Sequence, residues 1–210
     1  MNITFLRHGK LLPPYDNYDA LSLSDLSALS LQTVDPPVDL ALLDSLVPFD
    51  SLLPEYQAVF HSPSVRAEQT ADYVADKKKI LVRSVSEDIR EIFFDSAQLI
   101  SETSYAQVGM QGIRNGLFQA LENDTNKETI LMIQKRLHRF FSLLQQRGYS
   151  SVLVVTHGFL LRIIELLTRE KYKKATAFTV ADLASATNYS YGNGWTVMNA
   201  ESVFQRGLVW

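Results

Sequence analysis

Short apolar runs alternate with helical patterns along most of this chain. Ile3 to Leu6, Ala58 to His61, Ile80 to Val85 and Ser151 to Thr156 read as strands, and a last strand is expected around Trp195 to Met198 after the turn Gly192-Asn193-Gly194. Val152-Leu153-Val154-Val155 is apolar on both alternating faces, as a strand covered by helices on two sides should be. Ile130, Ile133, Leu137, Phe140, Phe141 and Leu144 recur at three-and-four spacing, marking one face of a long helix from about Lys127 to Arg147, which Gly148 stops. Ser62-Pro63 supplies an N-cap and a first-turn proline for a helix over Ser64 to Asp76. A further helix is expected from about Phe159 to Arg169.

This alternation predicts an α/β fold, a three-layer α/β/α sandwich with a mostly parallel central sheet. Two stretches depart from it. About 11–54 carries Pro13-Pro14, Pro36-Pro37 and many Leu, Ser and Asp residues, and should be loops with short helices. About 94–126 is mainly helical and should cover a pocket. With no internal repeat and no low-complexity linker, 1–210 reads as a single domain carrying these two inserts.

Composition narrows the function. An apolar fraction of 46% and a charged fraction of 20% exclude a disordered chain. Lys+Arg 20 against Asp+Glu 23 gives a formal charge of −3, which leaves no broad basic field for nucleic acid. Zero cysteines remove disulfides, thiolate metal sites and cysteine nucleophiles. Phe159 to Leu167, the most apolar late run, contains Arg162 and Glu165 and is too short for a bilayer, so no membrane role is expected. With no charged leader before Met1 to Leu6, the expected location is the cytoplasm.

Two of the four histidines share one setting. Leu6-Arg7-His8-Gly9 and Val155-Thr156-His157-Gly158 each put an imidazole just beyond a strand, at the edge where α/β sheets collect ligands, with a glycine that leaves room for a ligand's oxygens. Arg66 lies in the first turn of the helix after His61-Ser62-Pro63, where backbone amides attract anions. Arg7, His8, Arg66 and His157 would together form a positive pocket suited to a phosphoryl group.

Arg7-His8-Gly9, the stretch Ser62-Pro63 to Arg66-Ala67-Glu68-Gln69-Thr70-Ala71, and Thr156-His157-Gly158 resemble, in order and spacing, three signatures of the histidine phosphatase superfamily, also called phosphoglycerate mutase-like. The resemblance runs from the first strand to about Arg169. It implies a phosphoglycerate mutase-like fold with helical inserts over the active site. It also implies a metal-independent phosphomonoesterase without cofactor, in which His8 attacks phosphorus to form a phosphohistidine. Arg7, Arg66, His8 and His157 would hold the phosphoryl oxygens. The family's proton donor to the leaving group is often a glutamate after the third strand. Glu91, in Ile89-Arg90-Glu91, fits best, with Glu87 and Asp88 as alternatives.

Other readings stand beside these. Arg66 could instead pair with Glu68 or Glu55. His138 suits a solvated helix flank, His61 a packed strand end, and Tyr189, Tyr191 and Trp195 packing at a strand turn, with the lining of an entrance as the alternative. Lys10 is a candidate contact to a second anionic group, or simply solvated. The expected substrate is a small-molecule phosphate ester or a phosphoprotein. A cofactor-dependent mutase is the nearest alternative, although Lys10-Leu11-Leu12-Pro13-Pro14 lacks the residues that usually follow Arg-His-Gly in mutases. A non-catalytic phospho-ligand binding module is the other.

Overall fold

The structure is a computed structural model describing residues 1–53, 55–169, 178–198 and 200. Five strands form one sheet: β1 (Asn2–Arg7), β2 (Ala58–His61), β3 (Val82–Val85), β4 (Ser151–Thr156) and β5 (Gly194–Val197), in the order β3-β2-β4-β1-β5. All neighbours run parallel except β5, which pairs antiparallel with β1. The expected mostly parallel α/β sheet is therefore present. β3 begins at Val82, two residues later than the apolar pattern predicts, and Leu81 is exposed.

Strand alternation divides the core into two layers. Ile3, Phe5, Phe60, Val152 and Val154 face one side, where they pack with α6 (Ile130–Arg147) and α7 (Gly158–Thr168). Leu6, Val59, Leu153 and Val155 face the other, against Ala67, Ala71 and Val74 of α3 (Val65–Lys78). The predicted stripe on α6 is buried along its whole length. Thr129 caps that helix by accepting from the Met132 N–H at 3.3 Å, and Gly148 ends it with φ 69°, a left-handed conformation that favours glycine.

The first insert contributes α1 (Leu23–Ser30), α2 (Leu43–Leu46) and three 3-10 turns. The second contributes α4 (Ser96–Leu99) and α5 (Glu102–Glu122). A short α8 (Val180–Ser185) follows α7. α5 is broken at Gly109, where φ 56° and ψ −147° leave the helical region. Asp19 of the first insert occupies the break, accepting from the Met110 N–H at 2.8 Å, and a β-carbon at Gly109 would meet that carboxylate at 2.6 Å. Among the described residues, no helix is long and apolar enough to cross a membrane.

Candidate functional site

The register of the central strands decides what comes together. Arg7 pairs with Thr156, so the next residues, His8 and His157, leave the sheet side by side. Their ring centroids are 5.2 Å apart, and both side chains are buried. β2 ends beside them, with the Ser62 N–H donating to the Val155 carbonyl at 3.1 Å. Ser62 Oγ lies 2.7 Å and Ser64 Oγ 3.3 Å from His157 Nε2.

These serines explain a difference from the sequence expectation. Helix α3 starts at Val65, not at Ser64, and the Ser64 hydroxyl makes no capping bond. The serine hydroxyls are engaged by His157, and Asp35 of the first insert caps the helix in their place, accepting from the Val65 N–H at 2.6 Å. The other Asp35 oxygen accepts from Arg66 Nη1 at 2.8 Å. Arg66 thus pairs with Asp35, thirty-one residues away in sequence, and with neither Glu68 nor Glu55.

A cavity of about 340 Å³ opens over these groups. Arg7, His8, Arg66, Glu91 and His157 all line it, so five of the six expected site residues share one space. Lys10 does not line it. Its ammonium is 3.4 Å from Asp16, whose carboxylate closes the same loop. The aromatic cluster divides between its two readings: Tyr189 and Trp195 stack at 4.7 Å as packing, whereas Tyr191 lines the cavity beneath the Arg7 guanidinium, 4.1 Å from its carbon. His61 is a packed strand end, with Nδ1 on the Ser62 carbonyl at 2.9 Å, and His138 is an exposed helix flank.

A β-carbon at Gly9 would run into the Leu43 side chain, and one at Gly158 would touch the Arg7 guanidinium at 3.4 Å. Both glycines thus make room for neighbouring protein side chains, and Gly158 itself lines the cavity.

Electrostatics follow from burial among cations. His8 Nδ1 donates to the Gly9 carbonyl at 2.8 Å, which leaves Nε2 as the lone-pair nitrogen of the neutral ring. Burial, then the charges of Arg66 and Arg7, hold His8 well below its ordinary value of 6.5. His157 is held well below it too, by burial first, then Arg66, His8 and Arg7. Both rings are therefore neutral around pH 7. Arg7 Nη1 donates to the Tyr189 carbonyl at 2.6 Å, while Arg7 Nε and His157 Nδ1 are buried with no protein partner. Two neutral imidazoles and two guanidinium groups make a donor-rich pocket matched to a tetrahedral oxyanion.

Glu91 enters from the segment after β3. Thr156 Oγ1 donates to the Ile89 carbonyl at 2.6 Å, tying that segment to β4. The Glu91 carboxylate accepts from the N–H groups of Ile92, Phe159 and Leu160 at 2.9–3.1 Å, two of them in the first turn of α7. Burial raises its pKa from 4.5, against the pull of those N–H groups and of Arg66. Asp88 faces away, its carboxylate 2.6 Å from Arg139. Glu87 does not line the cavity.

A buried bracket that the sequence does not announce holds this segment. Glu128 takes Arg90 through two bonds of 3.0 Å, Arg136 Nε at 2.7 Å and the Phe93 N–H at 3.0 Å. Arg114 and Arg162 also line the cavity, and neither the charge order of the second insert nor the apolar run of α7 signals them as site residues. Among the described residues, no group of three His, Asp or Glu side chains is arranged to hold a metal ion.

No curated protein matches the chain. Among solved structures, the alpha-ribazole phosphatase from Shigella flexneri is similar in fold at 19% identity, TM-score 0.56, covering 93% of this chain and 89% of that one. A mycobacterial glucosyl-3-phosphoglycerate phosphatase, solved with inorganic phosphate, is similar at 15% identity, TM-score 0.61, with coverage of 98% and 92%. A phosphoglycerate mutase from Bacillus anthracis is similar at 17% identity, TM-score 0.51, with coverage of 99% and 96%. The family model described as histidine phosphatase superfamily (branch 1) matches residues 52–201, which include Ser62 to Arg66, Glu91 and His157, and the chain belongs to that superfamily.

Proposed function

We propose that the protein hydrolyses a phosphomonoester through a phosphohistidine on His8. The observation that carries this reading is the pairing of His8 and His157 at 5.2 Å, with Arg7 and Arg66 lining the same cavity. His8 Nε2, the free lone pair of a neutral ring, attacks phosphorus as the bond to the ester oxygen breaks. Arg7, Arg66 and His157 bind the equatorial oxygens and stabilise the charge that spreads over them. A Ser62 hydroxyl donating to His157 Nε2 puts the ring proton on Nδ1, the buried nitrogen without a protein partner, which then donates to the phosphoryl group.

Glu91 serves the leaving group. Its raised pKa lets it carry a proton to the departing alkoxide, and the resulting carboxylate then takes a proton from the water that attacks phosphohistidine. Phosphate leaves, and His8 and Glu91 return to their starting states. No step calls for a metal ion or cofactor.

Hydrolysis is favoured over phosphoryl return to a sugar acid by the segment after Gly9. Lys10 is paired with Asp16, Leu11 is buried in a bridge to Val38, and neither lines the cavity. The test is phosphate release from p-nitrophenyl phosphate, unaffected by EDTA and abolished by His8→Ala, together with acid-quench trapping of an acid-labile, base-stable phosphoenzyme. Binding of phosphate esters without turnover would overturn the catalytic reading. Rapid isomer exchange of 3-phosphoglycerate in the presence of its bisphosphate, followed by phosphorus-31 NMR, would replace hydrolysis with mutase chemistry.

A further inference from the structure

The proposed reaction uses the cations at the sheet end of the cavity and leaves two others unused. Arg162, on α7, is only 4% exposed, yet no carboxylate lies within ion-pair distance of it among the described residues. Its Nη1 donates to the carbonyls of Ala186 at 3.0 Å and Leu183 at 3.3 Å, which fix the guanidinium against the cavity wall. Arg114, on the segment of α5 after the Gly109 break, donates to Gln111 Oε1 at 2.8 Å and also lacks an acidic partner. Asn188 lines the cavity as well.

The electrostatics separate this pair from the first. Burial lowers Arg162 to about 10, and Arg114 is the strongest neighbouring charge acting on it, ahead of the opposing Glu165 carboxylate and of Arg7. Neither Arg114 nor Arg162 figures among the charges that depress His8 or His157. The acids lining the same space are engaged elsewhere: Asp16 by Lys10, Asp19 by the Met110 N–H, Glu91 by three backbone N–H groups. Two guanidinium groups repelling each other in a partly desolvated wall are relieved by an anion between them.

We propose that Arg114 and Arg162 form a second anion subsite, so that the substrate is a phosphomonoester carrying another anionic group, carboxylate or phosphate, on its far side. This rests on the phosphatase reading for the placement of the first phosphate. Lys10, the sequence's candidate for such a contact, is replaced in that role by cations from α5 and α7.

The test uses non-hydrolysable phosphonates in matched series. Alkylphosphonates of increasing length are compared with twins ending in carboxylate or in a second phosphonate, by calorimetric binding to the wild-type chain and to Arg114→Gln. At the best spacer length, one of the charged twins should bind at least tenfold tighter than the neutral one. Whichever of the two gains more identifies the second group. Arg114→Gln should cut that ratio to below threefold, and Arg114→Lys should restore part of it. Equal affinity of charged and neutral twins at every length, or an advantage that survives Arg114→Gln in the folded protein, would overturn the subsite. Failure of the phosphatase reading is distinguishable: p-nitrophenyl phosphate would not be turned over, whatever the binding ratio.

Discussion

Replacing Glu128 by Gln removes the only carboxylate in the bracket behind Glu91. Arg136 is 4% exposed and Glu128 3%, so the variant leaves a buried guanidinium facing a neutral amide. Burial already lowers Arg136, with Glu128 opposing that shift, and Arg136 Nη2 has no partner to begin with. Breaking one side of a buried pair costs about 3–5 kcal/mol. Arg90 is less buried and can turn toward water, so the loss is dominated by Arg136. In a chain of this length each kcal/mol shifts the melting temperature by about 2–4 °C, so a fall of about 6–20 °C is expected by circular dichroism. Turnover should fall as well, because Glu128 also holds the Phe93 N–H, two residues from Glu91. Glu128→Leu combined with Arg136→Met should recover most of the stability, since well-packed apolar groups replace buried pairs at little cost. A loss below about 1 kcal/mol in Glu128→Gln, the range of solvated surface pairs, would refute the bracket.

Glu91→Gln should lower kcat about 10²–10⁴-fold on alkyl phosphates, which need a proton on the leaving oxygen. The loss should be much smaller on p-nitrophenyl phosphate, and equal losses on both would make Glu91 only a cap for α7. Because burial and the neighbouring arginines hold both cavity histidines well below 6.5, the native state binds fewer protons than the unfolded chain under mildly acidic conditions. Stability is therefore at its full value above about pH 6.5 and declines as pH drops toward the native values. Nitrogen-15 NMR of the ligand-free protein should show both rings neutral at pH 6, and vanadate should raise their pKa values. Asp35→Asn should reduce kcat/KM about fivefold, the equivalent of ~1 kcal/mol, by loosening Arg66. An unchanged kcat/KM would show that Arg66 keeps its place without that carboxylate.

Local pattern carried the sheet and the first ring of side chains well. His157 follows a strand with four consecutive apolar residues, Val152 to Val155, and Arg66 lies in the first turn of the helix that opens just after Ser62-Pro63-Ser64. Glu91 is legible only through the resemblance carried by Ile89-Arg90-Glu91, and the structure buries Ile89, two residues earlier. The residues that escaped depend on contacts distant in sequence. Asp35 caps α3 from a proline-flanked loop, Glu128 gathers Arg90 and Arg136 from two elements, and Arg114 lines the cavity from the part of α5 after the Gly109 break. Lys10 does not line the cavity and pairs with Asp16, six residues on.

The junction at Gly109 ties the two inserts to each other, with Asp19 in the break and the Tyr105 hydroxyl donating to the Tyr18 carbonyl at 2.7 Å. The roof of the cavity is thereby a unit of its own, assembled from segments that add no strand to the sheet. Selection can remodel that roof to accept new esters while the strand ends beneath keep their register, so preference and reactivity are free to evolve on separate schedules.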